Sequence, residues 1–306
     1  MVRVEDGVLP DVGVPGGCDL RCMAKTLVKL LGAVAAGAAL VGAVATPASA
    51  VIGGVAGSTE RDPWMVFLAD PHAAPDLPSH YSCGGALVTP TKVVTAAHCV
   101  DSVVPGTLDV VGGRTDLRSR AGEVRDVVSI YEHEKVTPPP GPGGEPRPGG
   151  DVAVLTLDRP MPYRTLPLAT PEEAEVLYRP GTPARVLGWG ISREEQAQLP
   201  PAQSVTPVLQ QAQLPLMSDE DCLDTALHGS PWPVRFDPAH YVCAGYEQGG
   251  VTSSGGDSGG PLVVDGKLAG VTSMMIPRGE RPSLTRAVTG YSRISTFHDE
   301  IAEHLR

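Results

Sequence analysis

The sequence predicts an all-β protein, and three observations carry that prediction. Its 36 glycines and 31 prolines are too many for a helical bundle and suit many short strands joined by turns. Its informative apolar runs are short: Val93-Val94, Val152 to Leu157 and Leu262 to Val264 each stand beside small or turn-forming residues. A chain of 306 residues that is 42% hydrophobic and 19% charged can bury a core of ordinary size in one or two domains, which excludes disorder of the whole chain. Net charge is −11. The first fifty residues hold four bases (Arg3, Arg21, Lys25, Lys29) and four acids (Glu5, Asp6, Asp11, Asp19), so the remainder carries the full −11 and would repel nucleic acid and anionic lipid.

The first fifty residues read as a targeting segment. Leu30 to Ala45 is an uncharged apolar run, preceded by Lys25 and Lys29 and followed by Thr46-Pro47-Ala48-Ser49-Ala50. Basic, apolar, then small residues in an A-x-A pattern is the order of a secretory signal peptide. The alternative is a membrane anchor, but the run falls short of the ~17 to 25 residues that span a bilayer, and Ala and Gly make it weakly hydrophobic. Residues 1 to 22 fit no part of this pattern, which points to a translation start at Met23. Export leaves Cys83, Cys99, Cys222 and Cys243 in an oxidising compartment where pairing is the default, with three connectivities open. No C-x-x-C pair has a matching second pair, and His72, His80, His133, His228, His240, His298 and His304 show no clustered spacing, so no metal site is expected and these histidines read as surface or loop residues.

Three segments carry chemistry. Gly255-Gly256-Asp257-Ser258-Gly259-Gly260-Pro261 sets a serine among glycines just before Leu262-Val263-Val264. A serine hydroxyl is a poor nucleophile unless a base takes its proton and donors stabilise the resulting oxyanion, and glycines let backbone N–H groups face a substrate. By itself such a run reads equally well as a hairpin connection. Val93-Val94-Thr95-Ala96-Ala97-His98-Cys99 is a strand-like run ending in a histidine, a residue of the right basicity to accept and return a proton near neutral pH. A lone histidine there is more often structural. Asp151 opens the apolar run to Leu157, directly after the Pro/Gly-rich stretch from Pro138 to Gly150; an aspartate in that place usually caps a turn.

Together these segments resemble the chymotrypsin/trypsin family: TAAHC at 95 to 99, DVAVL at 151 to 155 and GDSGGP at 256 to 261, in the family's His, Asp, Ser order. Val51-Ile52-Gly53-Gly54 resembles its mature N-terminus, Cys83-Gly84-Gly85 its strand before the histidine, and Gly188-Trp189-Gly190 its mid-chain marker, so the likeness runs from Val51 to the C-terminus. The resemblance implies two six-stranded antiparallel β-barrels, one over 51–165 and one over 166–306, with the active site between them and a C-terminal helix. Ser295 to Arg306 supplies that helix, with Phe297, Ile301 and Leu305 four apart on one face and Ser295 or Thr296 as its cap. It implies acyl transfer to Ser258, with His98 moving the proton, Asp151 fixing the ring, and the N–H groups of Gly256 and Ser258 as the oxyanion hole. It pairs Cys83 with Cys99 and Cys222 with Cys243. It also implies that a free Val51 ammonium inserts beside Asp257; Ala48-Ser49-Ala50 would let signal peptidase expose it, whereas a cut after Ala45 would leave five residues for a second protease.

The sequence departs from the family at its substrate pocket. Thr252 stands where trypsin-like members carry the aspartate that binds Lys or Arg, and a neutral floor cannot offset desolvation of a cation. Ser273 falls where the family pairs with substrate backbone, and Met275 and Thr289 replace wall glycines, so cleavage after small or medium uncharged residues is expected. Ser254 replaces a cysteine that bridges the pocket wall, which predicts a more mobile pocket. Residues 112 to 123 lack the paired glutamates of the family's calcium loop, so no calcium is expected, nor any cofactor. The Pro138 to Gly150 insert reads as an extended surface loop. The expected product is a secreted, extracellular, monomeric endopeptidase acting on protein or peptide substrates, with no nucleic acid partner and no stable membrane association after signal cleavage. The alternatives are an inactive relative that serves as a binding module, or an esterase.

Overall fold

The computed structural model describes residues 51–71, 83–133, 149–199, 206–230, 236–279 and 283–306. The expectations for the targeting segment 1–50, for His72 and His80, and for 138–148 of the Pro/Gly insert lie outside the described residues.

Six strands close a first antiparallel barrel: β2 (Met65–Ala69), β3 (Cys83–Thr89), β4 (Lys92–Thr95), β5 (Asp109–Gly112), β6 (Glu123–Glu132) and β7 (Ala153–Leu157), paired in the order β2-β3-β4-β7-β6-β5. Closure leaves no unpaired edge. Met65, Leu68, Leu87, Val94 and Leu155 are fully buried in it. A second sheet follows the order β1-β9-β8-β11-β12-β13-β10, from β1 (Val55–Ala56), β8 (Pro183–Gly188), β9 (Gln210–Pro215), β10 (Tyr241–Ala244), β11 (Pro261–Val264), β12 (Lys267–Ile276) and β13 (Val288–Arg293). It has seven strands rather than six, because the two-residue β1 precedes the first barrel in the chain yet pairs with Gln210 and Gln211 of β9.

One apolar cluster spans the two halves, and the second sheet carries two more of its own. Trp189, 1% exposed, meets Phe67 of β2 edge-on at 5.6 Å between ring centroids and donates its indole N–H to Thr115 O at 3.2 Å. The flanking glycines have a separate cause: a Cβ on Gly188 would collide with Asp257 Oδ1, and one on Gly190 would come within 2.7 Å of the same carboxyl. The C-terminal helix spans Ile294–His304 and buries Phe297 and Ile301 in the shared core. It starts one residue before the expected cap, with Arg293 at the N-cap and no side-chain cap bond. The Ser295 N–H donates to the Tyr178 hydroxyl at 3.3 Å, and the Thr296 hydroxyl donates to Ala239 O. Three histidines are not idle surface groups: His133 and His240 lie against Phe297, and His304 stacks on Tyr131.

Candidate active site

Strand register brings His98 to Asp151. β4 and β7 are antiparallel with Thr95 opposite Ala153, so the residues just past the end of β4 face those just before β7. His98 sits there in a single 3-10 turn, Ala97–Cys99, that Cys99 ties to Cys83 of β3 with 6.1 Å between Cα atoms. Its Nδ1 lies 2.6 Å from Asp151 Oδ2, and its backbone N–H donates to Asp151 Oδ1 at 2.9 Å. From the second half, the Ser273 hydroxyl donates to Asp151 Oδ2 at 2.7 Å, and the Ser292 hydroxyl holds Asp151 O at 3.0 Å. Burial opposes ionisation of Asp151, but the hydrogen bonds and charge from His98 and the Ser273 hydroxyl more than offset it, holding the carboxyl below the usual range. Burial likewise opposes protonation of His98. The bonded Asp151 carboxylate, with Asp101, outweighs that and raises the imidazole above its ordinary value.

The first barrel also grips the serine loop. Gly84 N–H donates to Ser258 O at 2.8 Å, and Gly259, at φ +74°, packs where a Cβ would overlap Thr95 Oγ1 and Gly84 O. Only glycine fits that conformation and that gap. Among the described residues the N–H groups of Gly256 and Ser258 meet no acceptor. The Ser258 hydroxyl is also unpartnered, so its expected bond to His98 is not formed. Asp257, 1% exposed, accepts from Gly190 N–H and Ser254 N–H, each at 2.9 Å; burial pushes its carboxyl up to about 7. Val51 is buried in the second sheet's core, and Ile52 exchanges backbone hydrogen bonds with Thr252. No hydrogen bond joins Val51 to Asp257, whose oxygens are held by Gly190 and Ser254.

Beside Ser258 opens a cavity of about 180 Å³, whose walls include Ser273, Met274, Met275 and Thr289. Met275 pairs with Thr289 across β12 and β13, and Met274 with Gly290. Thr252 is fully buried behind this wall and does not line it; its hydroxyl donates to Ser253 O at 3.1 Å and lies 3.0 Å from the Thr289 hydroxyl. Ser254 is buried too, with its hydroxyl donating to Ile191 O at 2.6 Å in place of the missing bridge. Cys222 pairs with Cys243, at 5.8 Å between Cα atoms. The grouping of Cys83 and Cys99 with His98 offers no metal site, because both sulfurs are spent on each other.

The Trypsin family model matches residues 51–301. The chain belongs to the trypsin family. A trypsin from Saccharopolyspora erythraea is 34% identical over 83% of this chain and 98% of its own length. A trypsin-like protease from Streptomyces glaucescens is 32% identical over 83% of this chain and 81% of its own. Among solved structures, the Vibrio cholerae VesB protease superposes with a TM-score of 0.61 at 27% identity, covering 84% of this chain and 68% of that one. This trypsin-family chain is therefore a serine endopeptidase with the chymotrypsin fold, and its substrates are proteins. Among its described residues no helix is long and apolar enough to cross a membrane. One lining residue of its pocket, Met274, escaped the sequence reading. It lines the cavity beside Met275, opposite Gly290 in the β12–β13 pairing.

Proposed function

We propose that this trypsin-family protein is a secreted endopeptidase in which Ser258 attacks the peptide carbonyl, His98 takes and returns the proton, and Asp151 orients the imidazole. The 2.6 Å contact between His98 Nδ1 and Asp151 Oδ2 carries this reading, since it leaves Nε2, 3.8 Å from the Cys99 sulfur, as the ring's base. The unpartnered Ser258 hydroxyl is free to turn about χ1, and such bonds often tighten only once substrate is bound. The unsatisfied N–H groups of Gly256 and Ser258 supply the oxyanion hole. Among the described residues no acid lines the cavity beside Ser258, and the Thr252–Thr289 and Ser253–Tyr291 hydroxyl pairs satisfy one another at its wall. That favours cleavage after small or medium uncharged residues such as Ala, Val or Leu.

The division of the barrels at 165/166 is supported by β7 ending at Leu157 and β8 starting at Pro183. Signal peptidase cutting after Ala50 would free the Val51 ammonium to compensate the buried Asp257 carboxylate. A fluorophosphonate probe should label the secreted protein and not its Ser258→Ala variant; equal labelling of both would move the nucleophile elsewhere. A peptide-library profile dominated by Lys or Arg would overturn the pocket assignment. An N-terminus at Thr46 on latent material would overturn export as the sole activation step.

A further inference from the structure

We infer that Met274 and Met275 form a peroxide-reactive thioether pair whose oxidation to sulfoxide closes the apolar pocket beside Ser258. The inference rests on the peptidase reading above and adds a modification site to it.

The seven methionines are not equivalent. Of the five in the described residues, Met65 and Met161 are buried in the core, 0% and 2% exposed, out of reach of an aqueous oxidant. Met217 is half-buried, and its sulfur faces the Arg278 guanidinium at 3.9 Å, away from the active-site cavity. Met274 and Met275 are also half-buried, and both line the cavity of about 180 Å³ that reaches Ser258. They are successive residues of β12, opposite Gly290 and Thr289 of β13. Met274 lies across Gly290, where a Cβ would come within 2.8 Å of its Cγ, so a bare backbone seats its side chain. A pocket that must stay open for a substrate side chain keeps both sulfurs open to a small oxidant as well.

The oxidant is a hydroperoxide. The thioether lone pair attacks the distal peroxide oxygen, the O–O bond breaks and an S–O bond forms. Sulfur loses two electrons, and the departing oxygen takes up a proton and leaves as water or an alcohol. The product is polar and chiral where the thioether was apolar and pliant. The Thr289 hydroxyl, on the residue opposite Met275, is already paired with Thr252, so the new S–O dipole recruits water into the space that an apolar substrate side chain would fill.

The test uses the full secreted chain, treated with hydrogen peroxide or left untreated. Fluorophosphonate labelling, peptide mapping by mass spectrometry, and steady-state cleavage of a peptide amide with Val or Leu before the scissile bond are read in parallel. Sulfoxide should form at Met274 and Met275 before Met65 and Met161. kcat/KM should fall at least tenfold, mainly through KM, while the small fluorophosphonate still labels Ser258. Methionine sulfoxide reductases of both epimer specificities should restore the loss. A Met274→Leu/Met275→Leu variant, whatever its starting rate, should keep that rate through peroxide, and Met217→Leu should lose activity as the parent does. Mapped sulfoxide at both residues with kcat/KM within twofold would overturn the inference. So would an equal loss in the double leucine variant, or resistance of both residues while Met65 oxidises. Failure of the untreated protein to take the probe would instead bring down the peptidase reading, and this inference with it.

Discussion

The buried carboxyl of Asp257 makes stability of the uncut chain depend on pH in a way that can be worked out. Its pKa rises from an ordinary 3.8 to about 7 because burial penalises the anion more than the Gly190 and Ser254 N–H groups stabilise it. Between those values the folded chain keeps the proton and the unfolded chain has lost it. Unfolding therefore releases a proton, and rising pH favours unfolding across this window. About three pKa units at 1.36 kcal/mol each correspond to on the order of 4 kcal/mol lost between pH 4 and pH 7. The perturbation is Asp257→Asn, made in a Ser258→Ala background that retains the residues before Val51. Asparagine keeps one acceptor for Gly190 and loses the one for Ser254, a cost that does not vary with pH. Guanidinium unfolding at several pH values gives both curves. Their difference isolates Asp257 from the histidines and carboxylates that titrate alongside it, and the parent should lose stability relative to the asparagine variant as pH rises. In the chain beginning at Val51, the proposed ammonium holds the carboxyl ionised and the slope disappears. Parallel curves for the uncut parent and its asparagine variant would refute the reasoning.

Other outcomes follow from the same contacts. The acid limb of kcat/KM should fall above the ordinary histidine pKa, because Asp151 raises His98 and only the neutral ring accepts a proton; Asp151→Asn should move that limb to lower pH and cut turnover about ten-thousandfold. Replacing Cys83 and Cys99 together by serine opens a loop of sequence separation 16 and should cost about 3 kcal/mol in denaturant unfolding. Gly188→Ala drives a methyl group into Asp257 and should destabilise by about 2 to 3 kcal/mol, whereas Gly181→Ala, with open space at its Cβ but φ +82°, tests backbone strain alone and should cost less.

Much of the fold and the family were legible because the chemistry sits in short contiguous words. His98, Asp151 and Ser258 each lie beside a strand whose apolar run is visible, so their order could be read even though the approach of His98 to Asp151 depends on the Thr95–Ala153 register. The pocket was harder. Met275 and Thr289 could be placed by continuing the family match, but that match left Met274 out of the lining. The family match also put Thr252 at the cavity, whereas it is buried outside the lining with its hydroxyl 3.0 Å from that of Thr289. The helix start was misplaced because its first turn is met by the Tyr178 hydroxyl, a group remote in sequence. Loss of the cysteine at 254 suggested slack in the wall. The serine bonds Ile191 O, a partner from outside the motif.

Trp189 has a consequence for how the molecule comes apart. Its indole belongs to the same continuous apolar cluster as Leu87 and Leu155 of one barrel, Val263 and Leu268 of the other sheet, and Phe297 and Ile301 of the terminal helix. Pulling the halves apart would strip this shared filling from both at once, leaving the second sheet only the clusters around Leu214 and Ile276. Heat should therefore melt the disulfide-intact protein in a single endotherm whose calorimetric and van't Hoff enthalpies agree.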